Sequence, residues 1–320
     1  MPSQRKVAVV VPFLNEADNL PLLCERLTAV LEKEPEPFEL LFVDDGSSDG
    51  SAAFLAARAA QDPRVKLLRL SRNFGHQLAI TAGMDHAEGD AVVIMDADLQ
   101  DPPEVVPQLL ARWREGHEIV YAVRTSRSGE SWLKRLLAAT FYKTFRRMAN
   151  VDVPLDAGDF RLVDRKVIDA LKQVRELHRF VRGLTCWVGF SQSAVSYERA
   201  PRHSGVTKYP VWKSMRLAWD AITSFSSTPL RWMTLFGLLV SIAGLLQTVR
   251  VIVDRLLYPA SMERGWASVV AIMLFLGGVQ LVSLGLIGQY VGRIFEESKK
   301  RPLYFVKETV GFRERADRER

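Results

Sequence analysis

The run Ala91-Val92-Val93-Ile94-Met95-Asp96-Ala97-Asp98-Leu99-Gln100-Asp101-Pro102-Pro103-Glu104 decides how this chain folds. Its first part, Ala91 to Met95, is short and apolar, which predicts a buried strand ending at Asp96. Pro102 and Pro103 suit the first turn of a helix. Asp96 and Asp98 then sit at the C-terminal end of a strand, where open α/β sheets bind ligands. Carboxylates at i and i+2 project the same way from extended backbone. With the Gln100 amide they form a hard-oxygen set, suited to Mg²⁺ or Mn²⁺ rather than zinc. Such ions commonly take substrate phosphates as further ligands. A surface turn also produces Asp-x-Asp, so the flanking segments must carry part of the argument.

Working outward, the chain alternates strands and helices. Lys6 to Phe13, Phe38 to Val43 and Val65 to Leu70 are apolar, β-rich runs. Helical spacing follows from the Asn15–Asn19 caps to about Lys33, from about Asp49 to Ala60, and from about His76 to Ala87. A helix from Pro102 to about Glu115 and a strand Glu118 to Val123 continue the alternation. The pattern predicts an α/β fold with a mostly parallel, Rossmann-like sheet covered on both faces. No G-x-G-x-x-G follows the first strand and no G-x-x-x-x-G-K-[ST] occurs, which argues against a dinucleotide fingerprint or a Walker-type NTPase. Successive strands end in Asn15 and Glu16, Asp44 and Asp45, Arg72, then Asp96 and Asp98. Any one of these is readable as a cap or turn residue, the reading that suits Asp18 and Asp49. Together they line one sheet edge and predict a face for hydroxyls and phosphates. Asp44 or Asp45 can accept from a base N–H or a ribose hydroxyl, and Arg72 can meet a diphosphate.

The chain has 320 residues, 48% of them hydrophobic, and a net charge of +6. The apolar residues gather near the C-terminus. Trp232 to Val249 and Trp266 to Gly292 carry no charge and reach the length of bilayer-spanning helices. Lys208, Lys213, Arg216 and Arg231 precede them, and Arg293, Lys299, Lys300 and Arg301 follow. The positive-inside rule then places both termini in the cytoplasm. Two further stretches, about 131–150 and 209–227, put Trp and Phe on one helical face and Lys and Arg on the other. They predict helices lying on an anionic membrane surface, although a core helix with a solvated basic face has the same pattern. The expected layout is a catalytic domain over 1–228, two transmembrane helices over 229–293 and a cytoplasmic tail over 294–320. The basic charge concentrates on these helices and flanks, so membrane phosphates explain it better than nucleic acid. The two cysteines, Cys24 and Cys186, show no metal or disulfide spacing and read as buried thiols. No secretory h-region opens the chain.

Several ordered motifs carry a resemblance: Pro12-Phe13-Leu14-Asn15-Glu16, Asp44-Asp45-Gly46-Ser47-Ser48-Asp49, Ser71-Arg72-Asn73-Phe74-Gly75, the Asp96–Glu104 run, Gly158-Asp159-Phe160-Arg161, and Arg202 to Lys208. The chain resembles family 2 glycosyltransferases of GT-A fold, and among them the polyprenyl-phosphate glycosyltransferases: dolichol-phosphate mannose synthases and bactoprenol glucosyltransferases of GtrB and ArnC type. The resemblance implies that Pro12, Leu14, Glu16, Val43 and Asp45 line the nucleotide site, joined by Asp96 and Ala97. It implies that Asp96, Asp98 and Gln100 hold the metal and that Arg124 contacts a phosphate. Arg202, His203, Ser204 and Lys208 belong to a segment implied to close when the lipid phosphate arrives. Arg182 and Arg161 are further candidate phosphate contacts, and Asp159 joins Asp98 as a candidate catalytic carboxylate. The implied reaction is inverting transfer from a nucleotide sugar, UDP-glucose first, to a polyprenyl phosphate in the bilayer. GDP-mannose, UDP-N-acetylglucosamine and a modified UDP-arabinose are the other donors, and a homotetramer is an assembly some members form. A processive polysaccharide synthase would carry Q-x-x-R-W, whereas Thr228-Pro229-Leu230-Arg231-Trp232 lacks the Gln. A catalytically silent membrane scaffold would not need the Asp-x-Asp-x-Gln set.

Overall fold

The computed structural model describes residues 5–125, 157–198, 228–257 and 265–312. The chain divides into two compact units, Met1–Pro210 with Pro302–Arg320, and Val211–Arg301. In the first unit the order is β1 (Val7–Phe13), α1 (Leu20–Leu31), β2 (Phe38–Asp44), α2 (Ser51–Gln61), β3 (Val65–Leu70), α3 (His76–His86) and β4 (Ala91–Ile94). A short 3₁₀ turn at Pro103–Val105 then leads into α4 (Val106–Arg114). The unit continues with β5 (Ile119–Arg124), β6 (Ala157–Asp164), α5 (Arg165–Gln173), α6 (Val181–Trp187) and β7 (Gln192–Tyr197), and closes with β8 (Val306–Val310).

The strands form one eight-stranded sheet in the order β7-β5-β6-β4-β1-β2-β3-β8. The pairs β1/β2, β1/β4, β2/β3 and β5/β7 are parallel. β6 runs antiparallel to both β4 and β5, and β8 runs antiparallel to β3. Every residue of β1 and β2 is buried, as expected for parallel strands covered on both faces. On one face, Val7, Val9 and Val11 join a core with Leu20, Leu23, Leu27 and Leu31 of α1 and Leu109 and Leu110 of α4. Each such leucine contributes about 1.5–3 kcal/mol by leaving water. On the other face α3 lies so close to β1 that a Cβ on Gly83 would fall 2.1 Å from Val10 Cγ1. That approach fixes α3, which matters because its first residue enters the site.

Element boundaries differ modestly from the sequence reading. The fourth strand stops at Ile94 rather than Asp96, although Met95 N still donates to Val10 O at 3.1 Å. Beyond Met95 the chain turns, and Leu99 takes a left-handed backbone, φ 59°. The expected C-terminal tail contains a strand, β8, that lengthens the catalytic sheet at the β3 edge. Its sequence, Val306-Lys307-Glu308-Thr309-Val310, is too charged to read as buried, and it is in fact an exposed edge.

The second unit contains α7 (Thr228–Leu257) and α8 (Trp266–Ser298). Within them Thr228–Gln247 and Phe275–Ser298 are long and apolar enough to cross a membrane, and only 6% of each stretch is buried. A soluble core helix of that length would be mostly buried. The expected interface helices at 131–150 and 209–227, and the segment with Arg202, His203, Ser204 and Lys208, lie outside the described residues.

Candidate active site

The loops after β1, β2, β3 and β4 lie at the C-terminal edge of the central strands. The loop after β1 turns at Asn15, whose φ of 57° an asparagine tolerates. Asn15 N donates to Ser47 Oγ at 3.0 Å, and Asn15 Oδ1 accepts from Ser48 N at 2.9 Å, which ties this loop to the one after β2. Glu16 N donates to Ser51 Oγ at 3.1 Å. The β2 loop in turn touches the β3 loop at Gly46, where φ is 84° and a Cβ would sit 2.7 Å from Asn73 N. Only glycine meets both demands.

The adjacent aspartates Asp44 and Asp45 have different tasks. Asp44 is wholly buried, accepts from Ser47 N at 2.7 Å and pairs with Arg69 Nε at 3.1 Å. It is an architectural anchor, not a group turned to a ligand. Asp45 accepts from Phe74 N at 2.7 Å and Gly75 N at 3.0 Å, so it organises the β3 loop. Burial raises its pKa, and those two amides oppose the rise. Pro12 and Val43 pair in register inside the sheet and form the floor beneath this region. Leu14, by contrast, is exposed. Arg72 is exposed, with its guanidinium 4.1 Å from the Phe74 ring centroid and its Nη1 donating to Asn73 O at 3.0 Å.

The acidic centre is built from three strand ends. Asp96 Oδ1 and Gln100 Oε1 are buried without a hydrogen-bond partner. Asp98 Oδ1 accepts from Gln100 N at 3.1 Å and Leu99 between them is buried, while Ala97 turns into the core. Burial pushes the Asp96 pKa up to about 6, the charges of Asp159, Asp101 and Asp98 add to the rise, and His76 opposes it. Among the described residues no group of three or more His, Cys, Asp or Glu is arranged to hold a metal. The chemistry of two carboxylates and an amide, with buried oxygens on Asp96 and Gln100 that lack a hydrogen bond, is one that could hold a hard divalent cation.

Asp159, on β6, is almost fully buried beside this set. Arg182 from α6 clamps it through Nε–Oδ1 at 2.7 Å and Nη2–Oδ2 at 2.9 Å. His76 Nε2 lies 3.3 Å from Asp96 Oδ1 and 3.3 Å from Asp159 Oδ2, bridging the two carboxylates. Gln77 Nε2 reaches Asp159 Oδ2 at 3.4 Å while its Oε1 accepts from Val181 N at 2.9 Å. Burial alone would raise the Asp159 pKa, but His76 and Arg182 together hold it well below the usual carboxylate range. Burial would lower the His76 pKa, and the bond to Asp159 and the charge of Asp96 reverse the sign and raise it.

Two arginines expected at phosphates are committed elsewhere. Arg161 is fully buried; it donates from Nη2 to Gly158 O at 2.8 Å and from Nη1 to Thr185 Oγ1, so it props α6 against β6 and offers no surface to an acceptor. Arg182 is engaged with Asp159. Arg124 stands at the end of β5, donates from Nε to the Tyr197 hydroxyl at 3.2 Å and lies 3.8 Å from Asp101 Oδ1. Asp101 is fully buried and accepts from the Tyr197 hydroxyl, which pins the loop after β4. His76, Gln77, Asp101 and Tyr197 did not stand out in the sequence reading. The signal for His76 was its place: it directly follows the β3 loop, on the same sheet edge as the acids.

A mostly parallel sheet that gathers carboxylates and arginines at its C-terminal edge defines an α/β enzyme acting on an anionic ligand. The family model "Glycosyl transferase family 2" matches residues 8–172, which includes every element from β1 to α5. The chain belongs to glycosyl transferase family 2, and the sheet is its GT-A fold. An uncharacterised glycosyltransferase of Bacillus subtilis (strain 168) is 48% identical over 95% of this chain and 94% of its own length. A bactoprenol glucosyl transferase of Shigella phage SfV is 41% identical over 94% of this chain and 98% of its own. A prophage bactoprenol glucosyl transferase homolog of Escherichia coli (strain K12) is 39% identical over 94% and 98%.

Proposed function

We propose that this glycosyltransferase moves glucose from UDP-glucose to a polyprenyl phosphate, undecaprenyl phosphate in bacteria, with inversion at the anomeric carbon. The observation that carries the reading is the Asp96–Asp98–Asp159 centre in a chain that also has two membrane-length helices. Its relatives include bactoprenol glucosyl transferases matched along nearly their whole length, helices included. The helices leave both of their flanks on one side of a bilayer, and the flanking Lys and Arg favour the cytoplasmic side of an inner membrane.

The site's own residues account for the chemistry. The β1, β2 and β3 loops hold the nucleotide, with Leu14, Glu16 and the Asp45-ordered loop nearest to it. Asp96, Asp98 and Gln100 would hold a divalent cation, Mg²⁺ or Mn²⁺. Such a cation neutralises charge on a leaving diphosphate. The attacking atom is an acceptor phosphate oxygen. It forms the bond to C1 as the C1–O bond to the diphosphate breaks, and the electron pair leaves with UDP. A phosphate monoester is largely dianionic at neutral pH, its second pKa being about 6, so the step needs no general base. That suits Asp159, whose oxygens are engaged by Arg182 and His76 and which is therefore placed to orient groups. Its task is to fix Arg182 and His76, whose positive charge balances the buried acids around the site. Preorganised charge of this kind is usually the largest catalytic contribution.

The test is transfer of radiolabelled sugar from a panel of nucleotide sugars to undecaprenyl phosphate by the purified full chain in detergent, with and without EDTA. Label from UDP-glucose should reach the lipid, vanish with EDTA and return with excess Mg²⁺ or Mn²⁺. Nucleotide binding without any lipid product would overturn the acceptor assignment.

A further inference from the structure

The segment that follows α8 contacts β3, the loop after it and α3. Ser71 N donates to Phe305 O at 2.9 Å, and the Phe305 ring lies 6.4 Å from the Phe74 ring, centroid to centroid. The next residue back, Tyr304, donates its hydroxyl to Asp85 Oδ2 at 2.8 Å, and its ring lies 6.0 Å from that of His86. Further on, β8 pairs with β3, and Phe312 packs against His86 and under the Lys66 ammonium. Asp85 and His86 close α3, whereas Phe74 precedes it. Two consecutive aromatic residues therefore grip the two ends of the helix that begins with His76.

The geometry points to Tyr304 and Phe305 as positioning residues for the donor side of the site, acting through the Ser71–Gly75 loop and α3. This rests on the transferase reading above and deepens it. The loop is largely exposed, with two of its amides spent on Asp45. His76 follows Gly75 directly, so any displacement of Phe74 moves the bridge between Asp96 and Asp159. The chain closes this lever only after it has passed through α8. The half of the site that binds nucleotide is thus held by polypeptide arriving from the membrane-length helices.

The full chain in detergent, with Phe305→Ala, Phe305→Tyr and Tyr304→Phe, tests this in two ways. Loss of the ring contact in Phe305→Ala should raise KM for UDP-glucose about two- to tenfold with a smaller change in kcat, and Phe305→Tyr should restore it. Tyr304→Phe should give a smaller rise. Hydrogen exchange gives a readout that needs no turnover. In Phe305→Ala the amides of Phe74 and Gly75 should exchange several-fold faster while those of Leu20–Leu31 do not change. Unchanged KM together with unchanged exchange at Phe74 and Gly75 overturns the inference. So does uniformly faster exchange, which shows a general loss of stability. Wild-type protein that moves no glucose, yet shows the local exchange change, overturns the function and keeps the positioning.

Discussion

One sheet carries carboxylates at both of its edges, in opposite condition. At the N-terminal edge Glu39 is buried and accepts from Lys6 Nζ at 2.5 Å, Lys66 Nζ at 2.9 Å and Glu88 N at 2.7 Å. Glu88 completes the group through Lys66 at 2.8 Å. There each acid has its base. At the C-terminal edge Asp96, Asp98 and Asp159 crowd together, Asp96 Oδ1 lacks a hydrogen bond, and its pKa is driven up to about 6 by burial first and by its acidic neighbours after that. A buried charge normally stays ionised only when paired. The N-terminal cluster follows that rule and holds the sheet together. The C-terminal cluster follows it only in part, with Arg182 and His76 on Asp159 and the same His76 shared with Asp96, and such an underbalanced acidic cluster marks a candidate functional site.

The largest break in this comparison should come from Asp98→Asn. It removes charge from the crowded edge, so transfer should fall about 10²–10³-fold, the size of effect seen when one preorganised electrostatic contact is lost. Thermal unfolding should show Tm equal to or above wild type, because the substitution relieves repulsion. A drop in Tm matching that of a core variant such as Leu27→Ala would make this edge architectural like the other. Arg182→Ala should act less strongly. It leaves Asp159 buried with His76 and Gln77 alone, and loss of such an outer partner typically costs about ten- to a hundredfold in activity. The Asp159 pKa should move the other way, climbing toward the ordinary range as the lowering effect of Arg182 is lost, and be readable by carbon-detected NMR titration.

How much of this was legible in the sequence depends on the range of the interactions involved. β1 to β4 were readable because each is an apolar run bounded by polar turns, and local pattern suffices for buried parallel strands. The Asp96–Gln100 set was readable because it sits at the end of one of them. His76 was not, since its meaning lies in reaching Asp96 and Asp159, residues on other strands. The same holds for the arginines: no local signal separates Arg161, sealed under α6, from Arg72 on the surface. Asp44 and Asp45 are adjacent and chemically identical, yet only the fold assigns one to Arg69 and the other to the β3 loop. β8 was missed for a related reason. A short, charged segment becomes a strand only when an unpaired edge, here that of β3, is present to receive it.

Two substitutions at the N-terminal edge sharpen the comparison from its other side. Glu39→Gln removes the negative charge that pairs with two ammonium groups and turns one acceptor oxygen into a donor, and should cost about 1.5–3 kcal/mol of stability. The kcat for transfer should stay at the wild-type value, since nothing at this edge approaches the reacting groups. Glu88→Gln should do the least, and its signature is in acid. The hydrogen bond from Lys66, then the charges of Lys66 and Lys6, hold the Glu88 pKa below its ordinary value despite the opposing effect of burial. A carboxylate depressed in the folded state adds stability above the unfolded-state pKa of about 4.3, and that contribution is lost as pH falls through the folded value. Wild-type Tm should therefore decline more steeply than that of Glu88→Gln below about pH 5, and the two curves should converge at the acid end. The difference stays small because the Glu88 side chain is 57% exposed and solvent screens its pair. A wider gap would mean that Glu88 and Glu39 act as one buried unit, with the whole network, rather than one exposed pair, lost on protonation.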